Sequence, residues 1–455
     1  MIKILRTIIP DRHPLRLSYH KLKAVAAAIA YGFPANKMTI VAVTGTKGKT
    51  TTCHLIAKIF SHAGYKVGMT SSTHFQIADR RWVNKTKQNT PSPFAFQKLL
   101  SDMVKAGCTH AVVEVSSHAV TQSRTFGLNV DTAVLTQIDK DHIDYHGSHK
   151  AYRGEKLKLF RMLASSKRKP NVKKVAVLNQ DDKYFDEFRG VTVDVLFTYG
   201  FSRGTCIAEH IKLSADGTEF VLKIPNHKER IVNKLVGRFN VHNALAAASA
   251  ALANGINTHT IKDAFEELSP VSGRQEWVDV GQKFSVIVDY AHTVDSLEKV
   301  CALFKPLTKG NLILIFGCTG GGRDKGKRSQ MGRVADKYAD KIVLTDDDPY
   351  TEDRMGILRD IAKGIKREEG AGSGATGGGL WLVPDRREAI RLGLATAKAG
   401  DTVLITGKGC EEVQAIGEGL IPWDDRKVVK ELLSRELELE LDSDKTVRGN
   451  KCFES

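Results

Sequence analysis

Residues Thr39 to Thr52 read TIVAVTGTKGKTTT, and the fold follows from how that stretch changes character at Gly45. Ile40 to Val43 is a run of β-branched and small apolar residues, which reads as a buried strand. The run breaks at Gly45. From Lys49 a helical pattern opens through Cys53, Leu55, Ile56, Ile59 and Phe60. Strand, glycine turn and helix start together place backbone N–H groups and a lysine where a phosphate would sit. Gly45, Thr46, Lys47, Gly48, Lys49, Thr50 and Thr51 are the candidate phosphate-binding residues. Gly48 allows close backbone approach, Lys49 would reach the β/γ-phosphates and the Thr50 hydroxyl would ligate Mg²⁺. The usual spacing is GxxxxGK[ST]. Here its first glycine falls on Val43, so the loop is a shorter GTxGKT form.

The surrounding composition narrows the class. At 455 residues the chain is long enough for two or three domains with full cores. Its net charge of +16 and pI near 9.4 suit anionic ligands. The lysines and arginines are scattered and no nucleic-acid module accompanies them, so solvated basic faces plus a phosphate site is the reading, with no nucleic-acid partner. Seven cysteines, odd in number and without a CxxC pair, argue for reduced thiols in a cytoplasmic protein and against a zinc ribbon. No apolar run is long enough for a membrane span, and MIKILRTIIP is too short to be a secretion signal.

Taken in order, residues 1–38 hold one helix, Tyr19 to Tyr31, in a segment too short for a domain. From Thr39 to about Pro270, strands (TIVAVTG, HAVVEVS, TAVLTQ, KVAVLN) alternate with helices over residues 49–62, 94–105 and 151–163. This implies βαβ units and a mainly parallel sheet. CIAEHIKLSADGTEFVLKI (206–224) reads as a hairpin turning at Asp216-Gly217, and an alanine-rich helix follows over Val241–Ala253. A second alternation runs from Phe284: FSVIVDYA, NLILIFG, KIVLTDD, LWLVPD and DTVLITG, with helices between them and a last one from Lys427. The expected fold class is α/β. A P-loop-type, mainly parallel central domain (39–270) is followed by a second doubly wound, Rossmann-like α/β domain (271–442) and a flexible tail (443–455). GAGSGATGGG (370–379) reads as a surface loop.

Further stretches carry potential chemistry. HAVVEVSSH (110–118) brings Glu114, Ser116, Ser117 and His118 to a strand's end, where a carboxylate could complete a Mg²⁺ site with Thr50; alone, Glu114 reads more readily as a paired or capping residue. DKDHIDYHG (139–147) is dense in acids and imidazoles, although such a cluster also suits a solvated loop. Lys156 in AYRGEKLKLF reads by itself as a surface lysine. GCTGGGRDKGKR (317–328) is a glycine-rich anion site with Arg323.

With NTPSP, GRFNVHNALAA, SGRQEWV, VDYAHTVDSLEKV, TDDDP and GKGCEEVQ, in this order and spacing, the chain from about Thr39 to Leu433 resembles the Mur ligases, within them the UDP-N-acetylmuramoyl-tripeptide synthetase (MurE) type. The resemblance implies an ATP-dependent amide ligase of peptidoglycan precursor synthesis. It would add a diamino acid to UDP-N-acetylmuramoyl-L-Ala-D-Glu through an acyl-phosphate, using ATP and two Mg²⁺ ions. A monomer is a separate expectation that the resemblance does not fix. It implies that Lys49 holds the phosphates, that Thr50 and Glu114 hold the first ion, and that His142 and a carbamylated Lys156 hold the second. Asn240 and His292 resemble the residues that bind the nucleotide base, and Arg323 falls among the cofactor-binding positions. Thr90, Ser116, Gln122 and Arg124 fall on the muropeptide contacts. Arg323, Asp347, Asp348, Gly407 and Glu411 fall on the amino-acid pocket.

Three departures from the family pattern stand out. Its N-terminal uridine-gripping domain of about 100 residues is represented by under half that length, so a shortened domain is expected. NTTP becomes Gln88-Asn89-Thr90-Pro91 with one threonine. The diaminopimelate motif DNPR becomes Asp347-Asp348-Pro349-Tyr350, and a tyrosine cannot pair bidentately with a distal carboxylate. Lysine or ornithine is therefore the expected amino acid, Asp348 adding negative charge. Cys410 also replaces the histidine of GKGHE. A folylpolyglutamate synthetase-like ligase and a nucleotide-binding scaffold without catalysis are the competing readings. The motifs VSSHAV, DHIDYHG and YAHTVDS, and the joint retention of Lys49, Thr50, Glu114, His142 and Lys156, separate the chain from both.

Overall fold

A computed structural model describes residues 12–86, 88–139, 143–214, 217–268, 273–322, 324–367 and 379–435. His142, Arg323, Asp216, most of the 370–379 loop and the tail beyond residue 435 lie outside the described residues. The chain divides into two compact units, Met1–Ser269 and Pro270–Ser455.

The first unit is built on β1 (Thr39–Thr44), whose Ile40, Val41, Ala42 and Val43 are fully buried. Burying such valine and isoleucine side chains stabilises by about 1.5–3 kcal/mol each, which is why this run forms the middle of the sheet. Chain order adds β2 (Val67–Thr70), β3 (His74–Ile77), β4 (Arg80–Val83), β5 (His110–Glu114), β6 (Thr132–Leu135), β7 (Val175–Asn179), β8 (Val195–Gly200), β9 (Cys206–Ser214), β10 (Gly217–Ile224) and β11 (His227–Asn233). They form one sheet in the order β11-β10-β9-β8-β7-β6-β1-β5-β2-β3-β4. β1 is parallel to β5 on one side and to β6 on the other, with Val43 opposite Glu114 and Val134. The chain leaves β1 toward β2 and later returns to β6 on the opposite side. The carboxyl end of β1 is therefore a topological switch point, where α/β sheets bind ligands.

The parallel centre follows the expected alternation, and the 206–224 hairpin is β9–β10, antiparallel. β2, the β3–β4 hairpin, β8 and β11 were not expected; these strands are short or partly solvent-facing, so periodicity leaves little mark on them. The first helix runs over Pro14–Ala30, not Tyr19–Tyr31: Pro14 takes the first turn and His13 caps it. Residues 238–253 form a helix buried from Asn240 to Ala251 apart from His242. It packs in one core with the helix over residues 49–62, and its alanines permit that close approach.

Two histidines of this unit are held neutral. His110, at the start of β5, packs edge-on to Phe60 with ring centroids 5.3 Å apart. Burial lowers its pKa to about 4. Burial likewise lowers His242 to about 4, against the opposing pull of Asp181. An unfolded histidine titrates near about 6.5, so between pH 6.5 and 4 the unfolded chain binds more protons. The stability held above pH 6.5 is lost as pH falls through this window. The melting temperature of wild type should therefore drop more steeply between pH 6.5 and 4.5 than that of His110→Gln/His242→Gln. Parallel curves would refute this assignment.

The second unit carries a six-stranded sheet. Its strands are β12 (Glu276–Trp277), β13 (Ser285–Asp289), β14 (Leu312–Phe316), β15 (Lys341–Leu344), β16 (Leu380–Leu382) and β17 (Thr402–Thr406), in the order β12-β13-β17-β14-β15-β16. β13 to β17 are the five expected strands, mutually parallel, while β12 adds antiparallel at one edge. A separate hairpin, β18 (Val413–Ile416) with β19 (Gly419–Pro422), was not expected. No helix among the described residues is long and apolar enough to cross a membrane.

Candidate active site

The loop after β1 is shaped by its two glycines. Gly45 sits at φ +151°, and a Cβ there would lie 1.9 Å from Thr136 Oγ1; Gly48 sits at φ +82°, and a Cβ would lie 2.2 Å from Asn243 Oδ1. Both are conformations and approaches that only glycine tolerates. Gly48 is also the residue that enters the helix over Lys49–His62, so the free N–H groups of its first turn open beside the loop. Lys49 Nζ folds over this loop and donates to the carbonyls of Gly45 (3.1 Å) and Thr46 (2.8 Å).

The second half of the site is a carboxylate placed by the neighbouring strand. Glu114, fully buried at the end of β5, accepts through Oε2 from Thr50 Oγ1 (2.9 Å) and from the Ser72 backbone N–H (2.8 Å). Its Oε1 accepts from the Asn89 amide. The single proton of Thr50 goes to Glu114, so Ser72 Oγ, 2.7 Å away, is the donor to Thr50. A carboxylate with two hydroxyls at a helix N-terminus is an all-oxygen donor set, which fits Mg²⁺. Among the described residues no group of three or more His, Cys, Asp or Glu is placed to hold a metal. An ion on Thr50 and Glu114 would complete its shell with water and phosphate oxygens, as Mg²⁺ commonly does.

Lys156 is no surface lysine. It is 1% exposed, and its Nζ donates to the Gly45 carbonyl at 2.5 Å and lies 4.4 Å from the centre of the Tyr152 ring. Thr90 Oγ1 donates to the Glu114 carbonyl (2.9 Å). Arg124 joins Thr90 and Gln122 into one ledge: its guanidinium donates to the Thr90 carbonyl (2.9 Å), to Gln88 Oε1 (2.9 Å) and to Gln122 Oε1 (2.5 Å). Burial lowers the Arg124 pKa. Ser116 caps the short helix over Ser117–Thr121 by accepting from the Ala119 N–H. Asn240 Nδ2 donates to the Val236 carbonyl, and its Oδ1 accepts from Asn243. Ser72, Asn89, Asn243 and Tyr152 belong to this site and were not singled out by sequence; Asn89, Asn243 and Tyr152 lay inside quoted stretches, whereas nothing marked Ser72.

In the second unit, strand ends gather carboxylates around a buried cation. Lys408 Nζ donates to Asp348 Oδ1 (2.8 Å) and Glu411 Oε2 (2.5 Å). Burial alone would lower its pKa, but Asp347, Glu411 and Asp348 outweigh that and raise it. The negative charge expected of Asp348 is thus met by Lys408 and by the Ala415 N–H. Asp347 accepts from Thr319 Oγ1 (2.8 Å). Gly407, at φ +111°, would place a Cβ 3.4 Å from Asp347 Oδ1. Arg386, fully buried, binds Asp425 and also donates to the carbonyls of Asp346 and Thr406. His292 donates through Nδ1 to the Tyr290 carbonyl (2.8 Å), and burial lowers its pKa. Cys410 is a buried thiol pushed up to about 11 by burial, so it is inert as a nucleophile. The expected site residues therefore divide: Gly45–Thr51, Thr90, Glu114, Ser116, Gln122, Arg124, Lys156 and Asn240 belong to the first unit. His292, Asp347, Asp348, Gly407 and Glu411 belong to the second.

Comparison with known proteins gives this arrangement its family. Residues 43–251 match the Mur ligase middle domain, and residues 273–409 match the Mur ligase, glutamate ligase domain. The chain is 41% identical over 410 residues to a UDP-N-acetylmuramoyl-L-alanyl-D-glutamate–2,6-diaminopimelate ligase of Geobacillus kaustophilus, covering 90% of this chain and 81% of that protein. This chain belongs to the Mur ligase family. It is an ATP-dependent ligase that forms an amide bond between an acid and an amino acid. A second Mur ligase relative, the UDP-N-acetylmuramyl-tripeptide synthetase of a Roseiflexus species, is 38% identical over 90% of this chain and 81% of its own. A solved structure of a UDP-N-acetylmuramoyl-L-alanyl-D-glutamate–2,6-diaminopimelate ligase superposes with a TM-score of 0.61 at 32% identity, covering 88% of this chain and 79% of that one.

Proposed function

We propose that this Mur ligase joins a diamino acid to the glutamyl carboxylate of UDP-N-acetylmuramoyl-L-alanyl-D-glutamate, in the cytoplasm, as a step of peptidoglycan precursor synthesis. The observation that carries the reading is the Thr50–Glu114 pair beside Lys49 at the sheet's switch point. A carboxylate is a poor electrophile. Transfer of the ATP γ-phosphoryl group to its oxygen gives an acyl-phosphate; the amine attacks the carbonyl carbon, and phosphate leaves with the former carboxylate oxygen. Mg²⁺ held by Thr50 and Glu114 would offset charge on the phosphoryl oxygens. Lys49 and the helix N-terminus bind the phosphates, and the ledge of Arg124, Gln122 and Thr90 offers cationic and polar groups to the anionic muropeptide. Asn240 of the first unit and His292 of the second are each suited to a nucleotide base, and Arg323 is kept as a cofactor-binding position.

Lys156 as an amine donates to the loop; carbamylated, the same tip would present acceptor oxygens, and with His142 would form a second Mg²⁺ position. In the second unit Asp347 suits an ammonium group of the incoming amino acid, with Glu411 beside it sharing the Lys408 ammonium with Asp348. Tyr350 lies over Gly321, a Cβ on which would be 2.8 Å from the Tyr350 ring. An aromatic ring there offers no cation to a distal carboxylate, which supports lysine or ornithine over diaminopimelate. With the Asp348 charge met by Lys408, that preference rests on Tyr350.

Phosphate release with ATP, Mg²⁺ and the UDP-muramoyl dipeptide should appear with lysine or ornithine and be at least about tenfold weaker with meso-diaminopimelate. Tyr350→Arg should shift kcat/KM toward diaminopimelate by a similar factor. A wild-type preference for diaminopimelate would overturn the lysine assignment. Turnover only with tetrahydrofolate and glutamate would overturn the muropeptide reading.

A further inference from the structure

The phosphate loop is tied to its surroundings by a hydroxyl hub that the ligase chemistry described above leaves unassigned. Thr46 Oγ1 donates to the Asp139 carbonyl (3.3 Å) and accepts from the Asp139 N–H (2.9 Å) and the Tyr152 hydroxyl (3.0 Å). A threonine hydroxyl has one proton and two lone pairs. All three are used, and Tyr152 must be the donor because the only Thr46 proton is directed at Asp139.

Tyr152 is 1% exposed and sits one turn before Lys156 on the helix over His149–Ser165. The two side chains therefore share a helix face, and the Tyr152 ring lies under Lys156 Nζ while Nζ reaches Gly45. From the same helix, His149 Nε2 donates to the Asp139 carbonyl (3.2 Å). Three successive loop residues are thus fixed from outside. Lys156 holds Gly45. Tyr152 and Asp139 hold Thr46, whose N–H also donates to Gln137. Thr136 Oγ1 donates to the Lys47 carbonyl (2.6 Å).

We propose that Tyr152 is a positioning residue for the reaction, with two separable parts. Its hydroxyl sets the register of the nucleotide-phosphate loop through Thr46, and its ring is the shelf that fixes the tip of Lys156. The proposal rests on the reading of this loop as the ATP site. It does not depend on which acid or amine is joined.

Two substitutions separate the parts. Tyr152→Phe keeps the shelf and removes the hydroxyl. ATP affinity, measured by calorimetry with a non-hydrolysable analogue and Mg²⁺, should fall about fivefold or more, with KM for ATP rising in step and kcat nearly unchanged. Tyr152→Leu also removes the shelf, and kcat should fall about a hundredfold, a loss that the phenylalanine variant escapes. In a double-mutant cycle, Tyr152→Phe and Thr46→Val should be non-additive for ATP affinity, because both remove one interaction. Thermal melting of each variant separates a folding defect from a loss of positioning. Unchanged ATP affinity in a folded Tyr152→Phe, additive effects in the cycle, or equal kcat in the phenylalanine and leucine variants would overturn the proposal. ATP affinity is read without any acceptor. A chain that binds the analogue in a Tyr152-dependent way yet joins no muropeptide would overturn the proposed substrates and leave this inference standing.

Discussion

Lys49→Ala leaves a folded protein that releases phosphate from ATP about a thousandfold more slowly. The expectation follows from where the charge already sits. Lys49 Nζ is held by two carbonyls of the loop it must serve, so its approach to a phosphoryl group needs little reorganisation. Removing one such fixed donor typically costs about 10²–10³ in kcat. Here the loss should be at the upper end, because Lys49 Nζ reaches two carbonyls of the loop while Lys156, which also donates to Gly45, enters from a different helix. The melting temperature should move by only a few degrees, since the lost bonds join a half-buried ammonium to carbonyls of its own loop. Near-normal turnover in a folded Lys49→Ala would remove the loop from the chemistry altogether.

Lys156→Ala is expected to lower kcat by about 10²-fold or more, and a small added carboxylate should restore part of it. Two roles are removed at once: the 2.5 Å bond to Gly45 and the side chain proposed to carry a carbamate. Lys156→Gln separates them. An amide can still donate to the Gly45 carbonyl but cannot be carbamylated. If the carbamate is what matters, the glutamine variant is as inactive as the alanine variant and only the latter has room for rescue. If the bond to the loop is what matters, glutamine restores activity and the carboxylate does not. Normal activity in Lys156→Ala without any addition would end the carbamate idea.

How far the chain could be read in advance depended on whether a residue's role is local. β1 and its loop were legible because strand, glycine and helix start are written within fourteen consecutive letters of the sequence. Glu114 was legible as a metal candidate because it ends an apolar strand at the sheet edge where α/β folds bind ligands; that this strand lies beside β1 is seen only in the structure. The buried state of Lys156 was not, since nothing in AYRGEKLKLF says that this helix packs its polar face onto the loop 111 residues earlier. Ser72 and the hydroxyl of Tyr152 were invisible for the same reason: each works through a partner remote in sequence. The charge assigned to Asp348 illustrates the opposite error, a side chain judged without its neighbour. Lys408 neutralises it from 60 residues away, and only packing reveals that pairing.

Arg386 sets an order on the making of this molecule. Its guanidinium spans the ends of β15 and β17 by binding the Asp346 and Thr406 carbonyls, and it is itself neutralised by Asp425. Both side chains of that pair are fully buried, and a buried charge without its partner is strongly destabilising. The unit that carries the phosphate loop ends at Ser269, so a growing chain can complete it before the second unit has emerged. The carboxylate pocket must wait for residue 425. Domains form as units during synthesis, so the unit with the phosphate loop can be complete while the unit with Asp347 and Asp348 still lacks the buried counter-charge of Asp425.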